Sequence, residues 1–271
     1  MTFAELSQRS PPAGHPGRCF QTAYLCAFKD AGWMAGMWEA MQAVHAYWAP
    51  SLPPPEAQFD AGDEVLKVLI EHRTGEIRNL LNWRELVEQC NALLPGEWGL
   101  DPGSPVKRVQ CRATTFLGDS LDDLKANLAN VRAADALVTV HGSGCANWLS
   151  MRRGSALLEL RPFEFGSQLR HWADWFYPHI GYEVQHAVHW YGLNVEDPAA
   201  STPSQREKDK VNPDDSRYKR DRHTTLSFAA LREMLSRIAA AGRDKEKYLK
   251  QVERKEHYVQ LLPGGELQPI E

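Results

Sequence analysis

The chain has 271 residues, 43% hydrophobic and 24% charged, an ordinary balance for a globular protein and long enough to bury a sizeable core. A formal net charge of −4 and an isoelectric point near 6.2 argue against broad binding to a nucleic-acid backbone, though not against a local basic pocket. Mean hydropathy is −0.48, no apolar run approaches the roughly 20 residues of a membrane helix, and the first eighteen residues hold no apolar signal core.

Residues 1–17 are Pro/Gly-rich and polar and read as a loose tail, with 18–60 as a helical segment leading into the main domain. In WMAGMWEAMQAVHAYW, Met34, Met37, Trp38, Met41 and Val44 recur every three or four residues, which predicts an amphipathic helix. SLPPPEAQFDAGD then reads as a linker. From 61 to 260 strands and helices alternate. Strands are predicted at Val65–Ile70, Val106–Cys111, Ala136–Val140 and Ala156–Leu160. Helices are predicted at Asn82–Leu94, with Asn82 and Glu85 as a capping box, and at Ser120–Ala134, with Ser120 and Asp123 as another. NWLSMRR reads as a short helix, LSFAALREMLSRIAAAG as an amphipathic helix ending at Gly242, and DKEKYLKQVERKEHY as its charged continuation. Asn194–His223 is polar and charge-rich and reads as a surface-loop insertion; 261–271 reads as a tail. The pattern predicts an α/β fold, a Rossmann-like, doubly wound parallel sheet.

None of the five cysteines (Cys19, Cys26, Cys90, Cys111, Cys145) forms a CxxC pair, and the odd number argues against a fully paired framework. Buried free thiols are the expectation, with one bridge such as Cys19–Cys26 the alternative in an oxidising compartment. His171, His179, His186 and His189 lack an accompanying acid at ligand spacing, so no metal is expected.

Ligands of doubly wound sheets sit beyond the carboxyl ends of the strands. The stretch HGSGCANWLSMRRGSALLEL begins there. Gly142 and Gly144 let backbone approach a ligand, with Ser143 a small spacer between them. His141 stands at the strand tip and Asn147 opens the next turn, so a diphosphate would fit the cup. Glu159 is a lone acid in an apolar strand: it either accepts the hydroxyls of a ribose or pairs with Arg152, Arg153 or Arg161. Arg73 and Arg78 bracket a Thr-Gly turn after the first strand and suit bidentate phosphate binding, unless the loop is simply solvated. A serine-hydrolase elbow fails, because His141 and Cys145 flank Ser143 where glycines are needed. A dinucleotide loop is half met by Gly142 and Gly144 but follows the third strand, not the first.

Arg73, Arg78, Asn82 and Glu85-Leu86, then Val140-His141-Gly142-x-Gly144-x-x-Asn147, then Glu159-Leu160-x-Pro162, occur in an order that resembles glycosyltransferase family 61 over residues 18 to 240. That family includes plant xylan xylosyl- and arabinosyltransferases and animal protein O-linked N-acetylglucosaminyltransferases. The resemblance implies a GT-B-type donor-binding domain, a UDP-sugar donor, a glycan or glycoprotein acceptor, inversion at the anomeric carbon, no cofactor or metal, and the Golgi or ER lumen. Carried over by motif, Arg73, Arg78, His141, Gly142, Ser143, Gly144, Asn147 and Glu159 would line the donor site, with His141 the candidate catalytic residue. Ser143, Cys145 and Ala146 stand where the family usually has Ala, Leu and Thr, and the usual mid-helix Gln is not evident. The N-terminal acceptor part reads as truncated or reduced, leaving Asp60, Asp119 and Asp174 as guesses for the base. The alternatives are a catalytically silent nucleotide-binding or interaction fragment and an NAD(P)-dependent oxidoreductase.

Overall fold

All five residues of the apolar run Ala136–Val140 are buried, because helices cover both faces of the sheet in which it lies (β3). The computed structural model describes residues 33–165, 186–209 and 216–270. Seven strands form that sheet: β1 (Val65–Glu71), β2 (Arg108–Thr114), β3, β4 (Ala156–Arg161), β5 (His189–Val195), β8 (Tyr258–Leu261) and β9 (Leu267–Pro269). Their order is β2-β1-β3-β4-β5-β8-β9, parallel throughout except for β9. A separate antiparallel pair, β6 (Ser201–Thr202) and β7 (His223–Thr224), lies outside it.

Period-two alternation divides the core. Leu66, Val68 and Ile70 of β1 face a cluster built with α2 (Trp83–Ala92), α5 (Phe228–Ala241) and α6 (Lys245–Glu253). Leu69 faces the other cluster, closed by α1 (Trp33–Trp48), α3 (Leu121–Ala133) and a 3-10 segment, Ser143–Ser150. The chain leaves β1 for β2 on one side and then crosses to β3 on the other. Connections therefore diverge at the carboxyl ends of β1 and β3, where such sheets open a crevice.

Several elements differ from the sequence reading. Ser120 caps α3 as expected, accepting the Asp123 amide at 3.1 Å. Asn82 does not cap α2: its side chain donates to the Leu226 carbonyl at 2.8 Å and accepts the Leu226 amide at 3.1 Å. A long-range pairing has displaced the local one. NWLSMRR is no separate helix, because the 3-10 segment starts earlier and stops before Met151. Cys90 on α2 and Cys111 on β2 are joined by a disulfide rather than left as buried thiols, and Cys145 is buried and free. Cys19 and Cys26 lie outside the described residues. The expected insertion 194–223 contains the end of β5, β6, a one-turn helix α4 (Gln205–Lys208), a 3-10 turn, Ser216–Asp221, and the first residue of β7. The expected tail includes β9, which pairs with β8, and the last helix stops at Glu253 because the chain turns through Lys255, at φ 58°. Among the described residues no helix is long and apolar enough to cross a membrane.

Candidate anion site at the β1–β3 switch point

A polar row crosses the carboxyl end of the sheet on one face. Ile70 pairs with Val138, which brings the next residues, Glu71 and Thr139, abreast; Thr139 itself pairs with Glu159. Two residues further along stand Arg161, on the same face of β4 by alternation, and Arg73 and His141, just past the ends of β1 and β3. Thus β4 ends in Glu-x-Arg, β1 ends at Glu71 with Arg73 two residues beyond it, and Thr139 near the end of β3 is followed by His141 just past the strand. Each glutamate meets its own arginine: Arg73 Nε is 3.3 Å from Glu71, and Arg161 Nη2 is 3.4 Å from Glu159. The Thr139 hydroxyl donates to Glu71.

The two halves of this row do different things. On the β4 side everything is buried. Glu159 is 0% exposed; it pairs with the Nδ1 edge of His141 and accepts the Trp190 indole N–H at 2.9 Å. Burial alone would push its carboxyl up, but Arg161, His141 and the Trp190 N–H outweigh it and hold Glu159 at about 2. Burial pushes His141 down against the pull of Glu159, so its ring is neutral near pH 7. Arg161 donates to the Tyr258 hydroxyl at 2.7 Å and lies over the Trp190 and Tyr258 rings. Glu159 thus meets the salt-bridge expectation with Arg161, whereas Arg152 pairs with Asp135 at 2.8 Å. In this arrangement Glu159 orients His141 from behind rather than facing solvent.

On the β1 side the groups are half-open. The loop after β1 folds Arg73 and Arg78 over Gly142, which begins the turn after β3 at φ 149°. Where a Cβ on Gly142 would stand, Arg78 Nη1 is 2.5 Å and Arg73 Nη2 3.1 Å away. A side chain there would push the guanidinium ends aside and would be strained at this φ. Gly144 is constrained in the same way, because a Cβ would overlap the Glu71 carboxylate. Arg78 itself adopts φ 58°, a left-handed conformation uncommon outside glycine and worth a functional explanation. The segment 221–226 holds it there: Arg78 N–H donates to the Asp221 carbonyl at 3.1 Å, and Leu81 N–H to Thr224 at 2.8 Å. Among the described residues the buried Nε and Nη2 of Arg73 and Nε of Arg78 make no hydrogen bond; the two Nε atoms are met only by ion pairs, with Glu71 at 3.3 Å and Asp221 at 3.5 Å. Two guanidinium groups beside each other, half-buried and under-bonded, call for an anion.

The structure therefore brings together Arg73, Arg78, His141, Gly142, Gly144 and Glu159. Ser143 is exposed at the turn, and Asn147 donates back to the Gly144 carbonyl at 3.0 Å, fixing the turn. Asp60 is elsewhere: it pairs with Arg108, at the amino end of β2, at 2.6 Å. Asp119 is exposed between β2 and α3, and Asp174, His171 and His179 lie outside the described residues. Glu71 and Asp221 were missed by sequence reasoning. The signal for Glu71 was its place two residues before Arg73; Asp221 sits in a charge-rich stretch with no pattern to single it out. Among the described residues no group of three His, Cys, Asp or Glu side chains is arranged to hold a metal ion. No protein-family model matches the chain, and no curated protein is significantly similar to it.

Proposed function

We propose that this chain is the donor-binding part of a GT-B-type inverting glycosyltransferase that moves a sugar from a UDP-sugar to a glycan or glycoprotein acceptor. The observation that carries this reading is the pair Arg73 and Arg78 closed over Gly142 at the β1–β3 switch point. When the bond from the anomeric carbon to the β-phosphate breaks, negative charge develops on the departing UDP. Two preorganised guanidinium groups stabilise that charge without a metal ion. The acceptor hydroxyl attacks from the opposite face, which inverts the anomeric centre, and its proton passes to a base on the acceptor side. His141 is buried, neutral and held by Glu159. The Cys90–Cys111 disulfide supports a lumenal, oxidising compartment such as the Golgi or ER.

The test is a panel of UDP-sugars offered with a glycan array. Transfer from one UDP-sugar with inverted linkage is the expected result. No transfer or donor hydrolysis with any of them, together with a melting temperature raised by NAD and not by UDP, would replace this reading with the oxidoreductase one.

A further inference from the structure

The left-handed Arg78 lies under a strap, the segment 221–226, which runs beside residues 78–81 like a short parallel strand. The Arg78 N–H donates to the Asp221 carbonyl at 3.1 Å, the Thr224 N–H to the Asn79 carbonyl at 2.8 Å and the Leu81 N–H to the Thr224 carbonyl at 2.8 Å. The Asn79 N–H is met differently. It donates to Nδ1 of the His223 ring at 3.2 Å, a side-chain acceptor set into a backbone pairing.

That bond sits at a sensitive place. The Asn79 N–H belongs to the planar peptide unit that follows Arg78, so its direction is set by the ψ of Arg78. The Asp221 carbonyl and the His223 ring therefore grip both sides of the residue whose guanidinium lies over Gly142. A left-handed residue other than glycine persists only while its surroundings hold it. Nδ1 accepts a hydrogen bond only when unprotonated; an imidazolium carries a hydrogen on both nitrogens and sets one against the Asn79 N–H. Among the described residues Lys208 of α4 is the charge that acts on the ring. The loop across from it presents Arg78, which is paired with Asp221, and β6 sets the uncharged Thr202 opposite His223. Beside it in sequence, Arg222 is paired with Glu164 and Glu207. Burial, and then Lys208, push His223 below its ordinary 6.5, so the ring is neutral at pH 7 and the grip is closed.

We infer that His223 is a positioning residue for Arg78 and a proton-sensitive clasp on the anion site: neutral, it holds the arginine over Gly142; protonated, it releases the Asn79 amide and anion affinity falls. This rests on the UDP-donor reading above and adds to it a control by pH from outside the β1 and β3 loops.

The experiment is calorimetric titration of UDP into wild type, His223→Asn and His223→Ala at pH 7.5 and 5, with the Asn79 amide resonance followed by NMR over the same range. Asparagine places its Oδ1 where Nδ1 stands, an acceptor that does not titrate, and alanine supplies none. At pH 7.5 His223→Asn should bind UDP within about twofold of wild type, and His223→Ala about three- to tenfold more weakly, the worth of one neutral hydrogen bond. At pH 5 wild type should approach the alanine variant while His223→Asn keeps its lead; protonation of UDP itself weakens all three alike. The Asn79 resonance should shift with pH in wild type and stay in place in His223→Asn. Parallel pH profiles for wild type and His223→Asn, an alanine variant that binds like wild type, an asparagine variant as weak as the alanine one, or an Asn79 resonance indifferent to pH in wild type each overturn the inference and leave the donor site standing. Wild type that binds no UDP at either pH overturns the donor reading itself, and the role of His223 with it.

Discussion

Replacing Glu159 with Gln removes a charge that three groups depend on. The carboxylate is held at about 2 against an ordinary value of 4.5, in a site with no solvent exposure. By linkage, that depression corresponds to about 3 kcal/mol of stability at neutral pH. Truncating one member of a buried ion pair also strands its partner, and such losses run to about 3–5 kcal/mol. Here the stranded partner is Arg161, itself 0% exposed, so Glu159→Gln should cost about 3–5 kcal/mol at pH 7. The sign of the pH dependence follows from the depressed value. The contribution is fully present above the unfolded-state value and is lost as pH falls towards 2. The gap between wild type and Glu159→Gln should therefore hold from pH 7 to 5 and close by about 2 kcal/mol by pH 3. Urea denaturation of both proteins at pH 7, 5 and 3 measures this. A variant as stable as wild type at pH 7, or a gap constant down to pH 3, would refute the reasoning.

Gly144→Ala should weaken UDP binding and cost about 1–3 kcal/mol, because its methyl drives Glu71 away from Arg73 and Thr139; calorimetry and thermal melts give the two readouts. Reducing the Cys90–Cys111 disulfide, which spans a sequence separation of 21, should lower stability by about 3 kcal/mol, seen as a drop in Tm on adding dithiothreitol. A Cys90→Ala/Cys111→Ala variant should show no such drop. His189, buried and stacked on Tyr248 at 4.4 Å, is pushed down to about 4, first by burial and then by His186. It is neutral in the fold and protonates more readily when unfolded. Its contribution is therefore complete above pH 6.5 and is lost between 6.5 and 4, where His189→Phe should flatten the stability profile measured in urea.

What was legible in the sequence follows from how local the cause is. Ala136–Val140 and Ala156–Arg161 declare themselves because a strand buried on both faces must be apolar along its whole length. The strand His189–Val195 is just as buried, yet its His, Trp, Tyr, Gly and Asn carry no strand signature. Gly192 is there because a Cβ would meet the Trp190 and Tyr258 rings, 2.5 and 2.8 Å away, which only the assembled sheet reveals. Tyr258–Leu261 and Leu267–Pro269 are short: the first reads as the end of a charged helix and the second as a tail until they pair with each other and β5 supplies a neighbour. Asn82 shows a local capping signal overridden by a partner 144 residues away. In the site, the glycines and arginines of the two strand-end loops were visible because their residue types are unusual where they stand. Glu71 and Asp221 were not, since an acid's role depends on which arginine the fold delivers to it. The disulfide was hidden for the same reason: α2 must dock on β2 before Cys90 and Cys111 meet.

On the proposed function, Arg73 and Arg78, closed over Gly142, form the phosphate site of a UDP-sugar donor. Calorimetric titration of UDP into wild type, Arg73→Ala and Arg78→Ala tests it most directly. Each lost guanidinium removes a charge-assisted contact of about 1.5–3 kcal/mol, so each variant should bind UDP about 10- to 100-fold more weakly than wild type. Wild type that ignores UDP, or variants that bind it as tightly as wild type does, would contradict the account.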